Sequence, residues 1–157
     1  MGNGTDECME DIKGTEEIIK TYREDVTRLS RYISWLETKS GSDVVSSYRA
    51  EQSTFSFPVY DGTLMSFVKE AQTTKLMNRN YRYTYSRNHI KTAKDELGII
   101  RTATIKEFGV LCDILSKYVL GGMTRAQVWR EGIENRIFLE VLLKLKELIE
   151  FWDKPLA

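Results

Sequence analysis

Six basic residues fall between Ala71 and Lys94 with no Asp or Glu among them: Lys75, Arg79, Arg82, Arg87, Lys91 and Lys94. Tyr81, Tyr83 and Tyr85 alternate through the same stretch. Guanidinium and ammonium groups contact phosphate oxygens, and tyrosine rings offer bases a surface to stack on. In an extended segment the alternation puts all three rings on one side, whereas in a helix it scatters them around the axis. Arg79, Tyr81, Arg82, Tyr83, Tyr85, Arg87 and Lys91 are therefore the candidate binding residues for an anionic macromolecule, a nucleic acid or nucleoprotein. The competing assignment is structural. The tyrosines then anchor a connection on the core, and the arginines pair with the first seventeen residues, where Asp6, Glu7, Glu10, Asp11, Glu16 and Glu17 face Lys13 alone.

No other constellation carries chemistry as well. The chain has one histidine, His89, so a zinc site built on paired histidines is excluded, and neither a P-loop, a dinucleotide fingerprint, HExxH nor GxSxG occurs. Cys112 and His89 are the residue types of a thiol nucleophile and its base. Cys112, however, follows Leu111 on an apolar helical pattern, where a thiol is a small inert hydrophobe, and His89 reads as a surface or cap residue. Glu107, Asp113, Glu131 and Glu134 fall where solvated helix faces are expected. Glu131 and Glu134 share a face, but Arg130 and Arg136 nearby favour surface ion pairs over a cation site. The expectation is no catalytic residue, no metal and no cofactor. The two C-terminal helical patterns imitate a helix-turn-helix pair, yet the second opens Ile137, Phe138, Leu139, which suits a core helix better than one that reads bases.

The elements that must position the basic segment are helical. From Thr15 to Lys39 the apolar residues Ile19, Tyr22, Val26, Leu29, Ile33 and Leu36 step by three and four, a seam for a partner helix in this domain or in a second copy. Thr15 is the expected N-cap and Gly41 the expected stop. Ser40 to Thr54 reads as a loop, and Phe55 to Tyr60 as a short edge strand, because Pro58 argues against a central one. A second helix is expected over 63–77, capped by Asp61 or Thr63, with Leu64, Val68 and Ala71 on one face. Another should begin near Ser86 or Asn88, and a long one should span Ile99 to Leu120 with Gly121-Gly122 at its end. A short helix from a Thr124 cap to Glu134 and a final one over 137–152 complete the pattern.

At 157 residues with 41% hydrophobic and 29% charged residues, the chain has the composition of one globular domain. A domain of that size buries roughly 70% of its unfolded surface and folds without disulfide staples. Its 23 basic and 23 acidic residues balance, so the cationic segment is local and the domain as a whole is not basic. Cys8 and Cys112 lie far apart, which offers neither a disulfide framework nor a CxxC metal pair and suggests a reducing, cytoplasmic compartment. No signal peptide and no run of eighteen apolar residues is seen, so no membrane association is expected. Residues 1–14 read as an acidic tail and 15–157 as a single all-α domain, a compact bundle of five or six helices with at most one short strand or hairpin.

The run Phe57-Pro58-Val59-Tyr60-Asp61-Gly62-Thr63-Leu64, with Phe67-Val68-Lys69-Glu70-Ala71 and Asn80-Tyr81, resembles part of an uncharacterised bacterial family associated with gut bacteria and their mobile elements. So do Tyr118 to Thr124, Val128-Trp129, Gly132, Ile137-Phe138 and the closing Lys146 to Trp152. The resemblance implies a mostly helical fold and an accessory, anti-defence role, with no assigned chemistry. Where that family is rich in arginine and glutamate after the long helix, this chain has Gly121-Gly122-Met123-Thr124, so no charged site carries over there. Three functions are weighed in order: a non-enzymatic protein docking on nucleic acid or nucleoprotein through the basic, tyrosine-rich segment; a protein-interaction module, self-association included, acting through the first helix; and an enzyme of unrecognised type.

Overall fold

The computed structural model describes residues 3–39, 45–49, 56–60 and 62–153, with side chains at 14–39, 62–125 and 127–151. The fold is all-α, and eight α-helices are seen among the described residues. They are α1 (Asn3–Ser30), α2 (Ile33–Lys39), α3 (Gly62–Gln72), α4 (Tyr81–Arg87), α5 (Ala93–Thr102), α6 (Phe108–Gly121), α7 (Ala126–Glu134) and α8 (Ile137–Asp153). An antiparallel hairpin pairs β1 (Val45–Arg49) with β2 (Ser56–Tyr60), placing Pro58 opposite Ser47. The second strand is the one expected. The first falls in a stretch read as loop, because its serines hide the alternation that marks a strand.

The helix count exceeds five or six because the tyrosine segment itself folds as α4 and because local chemistry cuts the first of two continuous apolar patterns in two; the second is cut as well. The first pattern breaks at Arg31-Tyr32. Ser30 Oγ donates back to the Val26 carbonyl at 2.6 Å, which loosens a helix. Tyr32 turns its ring edge-on to Phe67, with centroids 5.3 Å apart, and donates its hydroxyl to Glu70 at 2.7 Å. The pattern expected to run unbroken from Ile99 to Leu120 is cut at Ala103, whose backbone is extended (ψ 139°). Thr104 and Glu107 form a capping box there, around a 3-10 turn at Ile105–Glu107 that leads into α6. Thr92 and Asp95 form the same box at the start of α5, so that helix begins later than Ser86 or Asn88.

Other boundaries also move. The α1 backbone runs through Gly14 to Asn3, so Thr15 lies inside the helix and does not cap it. Thr63 likewise lies inside α3, and Asp61 is outside the described residues. That helix ends at Gln72, short of Met77, where the Thr73 and Thr74 hydroxyls take the Glu70 and Ala71 carbonyls at 2.6 Å. Arg125 rather than Thr124 is the N-cap of α7. Gly41 lies outside the described residues.

The core forms around α8, which packs on α1, α2, α5, α6 and α7. Phe138 is fully buried with its ring edge against Phe67 of α3 and Tyr118 of α6, at centroid distances of 5.2 and 6.0 Å. Leu142 and Leu145 lie beside it, also buried. Trp129 of α7 packs over the end of α6 and donates its indole N–H to the Val119 carbonyl at 3.1 Å. Gly122 is the C-cap of α6 with an ordinary φ of −67°. It must be glycine for another reason, since a Cβ there would lie 1.9 Å from the Trp129 ring. The α1–α2 seam is spent on this core: Ile19, Val26, Leu29, Ile33 and Leu36 are all buried within the chain, and the Tyr22 ring lies 5.2 Å from Phe108. That coverage uses the seam for packing within the chain.

Candidate nucleic-acid interface on helix α4

The segment that carries the alternating tyrosines is a helix, so its three rings do not share a side. Helical spacing instead puts Arg82, Tyr83, Ser86 and Arg87 on one outward face, and Arg79 lies in the turn just before the helix. All five are exposed, and Tyr83 is 75% exposed. Among the described residues none of Arg79, Arg82 and Arg87 has a carboxylate partner, and the side chains of Asp6, Glu7, Glu10 and Asp11, the main partners in the structural alternative, lie outside the described residues. Arg79, Asn80, Tyr81, Arg82, Tyr83 and Ser86 line an open depression of about 530 Å³. Asn80 is the N-cap of α4 by position but its side chain makes no capping hydrogen bond, which leaves its amide to the depression.

The inward face of the same helix is a polar anchor. Thr84 donates its hydroxyl to Asp113 Oδ2, and the Asn78 amide donates to Asp113 Oδ1 at 2.8 Å. The Asn78 backbone N–H donates to Ser116 Oγ at 2.8 Å, and that hydroxyl donates to the Cys112 carbonyl at 2.7 Å. The residue after Thr84, Tyr85, donates its phenol to Glu96 Oε2, and Tyr118 donates to Glu96 Oε1. Lys117 Nζ completes the set at 3.2 Å from Oε2 and sits 4.9 and 4.8 Å from the ring centroids of Tyr85 and Tyr118. Glu96 is only 1% exposed. A buried carboxylate is tolerable there because two phenols and an ammonium group replace its water. Burial first, then the charge of Glu96 and the hydrogen bond to it, pushes the Tyr85 phenol far above its ordinary range. Burial and the Glu96 hydrogen bond do the same to Tyr118.

The seven candidate binding residues thus divide. Arg79, Arg82, Tyr83 and Arg87 come together on the outer face, and Tyr81 reaches its edge, half-buried with its ring 6.3 Å from that of Tyr85. Tyr85 is withdrawn from any ligand by Glu96. Lys91 lies beyond the helix, beside Asp95, whose carboxyl is held below its usual range by the Lys91 and Thr92 backbone N–H groups, with smaller help from the Lys91 charge. Asn80 and Ser86 are the members that sequence reasoning missed. The three-and-four spacing of Arg82, Tyr83, Ser86 and Arg87 was the signal, masked by the more conspicuous alternation of tyrosines.

The chain turns sharply after this face. His89 adopts a left-handed conformation (φ 54°) and closes α4: its own N–H donates to Ser86 O at 3.3 Å, and the Ile90 N–H donates to Tyr85 O at 3.0 Å. This is the Schellman arrangement, with an exposed histidine where glycine is usual and Ile90 buried behind it. His89 is therefore a cap residue, and it shares no hydrogen bond with Cys112, a buried free thiol whose pKa burial pushes well up. Glu134 and Arg130 approach to 3.8 Å, and Arg136 and Glu140 to 3.7 Å, as surface pairs. Among the described residues no group of three or more His, Cys, Asp or Glu is placed to hold a metal ion, and no helix is long and apolar enough to cross a membrane. No family model, curated protein or solved structure matches the chain, so the assignment of this face rests on its geometry and charge.

Proposed function

We propose that this protein is a non-enzymatic docking protein that binds nucleic acid, free or in a nucleoprotein, through the outer face of α4. The observation that carries the reading is three exposed arginines with no carboxylate partner among the described residues, on and just before a helix that presents an exposed tyrosine beside them and is anchored to the core on its other face. Arginines left unpaired on a folded surface keep their full charge for a phosphate backbone, and the reach of that charge is set by salt. The accessory, mobile-element role implied by the family resemblance is compatible with such docking and is part of the same proposal.

The test is the salt dependence of binding to a fluorescent oligonucleotide. Each phosphate contact adds about 0.7 to 0.9 to the slope of log affinity against log salt, so the triple change of Arg79, Arg82 and Arg87 to Ala should flatten the slope by about 2 while leaving the fold intact. A wild-type protein that shows no affinity at low salt, or a folded triple variant that binds normally, overturns the reading. The protein-interaction alternative through the first helix is not favoured, because its apolar seam is covered by the domain itself.

A further inference from the structure

The depression beside Tyr83 has features that a phosphate-binding patch does not need. A duplex offers a protein its phosphates and the edges of its stacked bases, and neither uses the face of an aromatic ring. Tyr83 presents most of its ring to solvent, and Tyr81 supplies a second, half-buried ring at the border of the same hollow. Between them the Asn80 amide brings both a donor and an acceptor, and Ser86 brings a hydroxyl, the groups that read the edge of an unpaired base. Arg79 and Arg82 also line it and would take the flanking phosphates of that nucleotide, and Arg87 adds a further exposed charge at the end of α4. The hollow is open and about 530 Å³ in volume, room enough for one base with its sugar.

We infer that the ligand is single-stranded nucleic acid, held with one unstacked base in the hollow between Tyr83 and Asn80 and with its adjoining phosphates on Arg79, Arg82 and Arg87. This inference rests on the nucleic-acid reading above and narrows it. The inward anchors give the hollow its shape, since Thr84 on Asp113 and Tyr85 on Glu96 fix the rotation of α4 about its axis. A base stacked on a fixed ring is worth a sizeable part of the binding energy whatever its identity. A preference among bases would come from Asn80.

The experiment uses the full chain and three probes of equal length labelled alike: a single-stranded oligothymidylate, the corresponding oligouridylate, and a duplex. Anisotropy titrations are run on the wild type, Tyr83→Ala, Asn80→Ala and the arginine triple variant. Tyr83 is exposed and Asn80 makes no described side-chain hydrogen bond, so both single variants should keep the wild-type circular dichroism and thermal midpoint. The expected result is tighter binding of single strands than of duplex. Loss on Tyr83→Ala should be about 5- to 100-fold for the single strands, with little change for the duplex. Asn80→Ala should narrow the difference between base sequences when mixed-sequence strands replace the homopolymers. Equal binding of duplex and single strand, or a Tyr83→Ala variant that binds single strands normally, overturns the inference while the salt slope of the arginine face still stands. Absence of binding to every probe overturns both.

Discussion

The two faces of α4 each carry a tyrosine and put it to opposite uses. Outward, Arg79, Arg82, Tyr83 and Arg87 are exposed. Inward, Thr84 and Tyr85 each meet a carboxylate that has been drawn out of water, Asp113 and Glu96. The difference does not lie in the side chains themselves, since Tyr83 and Tyr85 are two residues apart and identical. It lies in the 100° turn per residue, which points one ring at solvent and the other at α5 and α6. Two arginines near the end of α1 make the same point about charge. Arg28 lies 3.4 Å from Glu70 and Arg31 pairs with the same carboxylate, which also accepts from Tyr32, and these contacts hold the Glu70 carboxyl below its usual range. Arginines so paired brace the end of α1 against α3.

The comparison breaks most severely at Glu96. Glu96→Ala removes the shared acceptor of two phenols and leaves the Lys117 ammonium group at the edge of the core without its partner, so it should cost about 3 to 5 kcal/mol of folding stability by denaturant titration. An unchanged midpoint would mean that the inner face does not anchor the helix. Asp113→Ala strands the Thr84 hydroxyl and the Asn78 amide and should cost about 1 to 3 kcal/mol in the same assay. Alkali tests the inner face without mutation. Tyr85 and Tyr118 keep their protons in the fold, whereas an unfolded tyrosine loses its own near pH 10. Their contribution is complete below about pH 10 and declines as pH rises beyond it, by about 1.4 kcal/mol per pH unit for each phenol. Unfolding curves between pH 8 and 11 should therefore steepen in their pH dependence above 10, and Tyr85→Phe should flatten that limb.

Smaller effects sharpen the contrast. His89 carries a left-handed backbone that only glycine adopts without strain, so His89→Gly should raise stability by about 0.5 to 1 kcal/mol, read as a higher thermal midpoint. Each of Arg79→Ala, Arg82→Ala and Arg87→Ala should shift stability by no more than about 0.5 kcal/mol. If any of them unfolds the protein, the outer face is structural and the division between faces fails.

The sequence by itself determined the class of fold, the burial of the final helix and the cationic character of the segment before α5. Those follow from periodicity and composition, which are local. It also held the capping boxes Thr92 to Asp95 and Thr104 to Glu107 that cut the apolar pattern, but helical periodicity alone passes straight through them. The tertiary structure alone decided which tyrosine faces solvent. Tyr81, Tyr83 and Tyr85 are equivalent as letters, and their roles separate only once Glu96, eleven residues beyond Tyr85 in the chain, comes up beneath the helix on α5 and is buried with Lys117 and Tyr118 of α6. Glu96 itself reads as one more exposed helical carboxylate. What draws it inside is the set of donors that two other helices, α4 and α6, bring to one point, and the energy of a buried charge depends on every one of them being there.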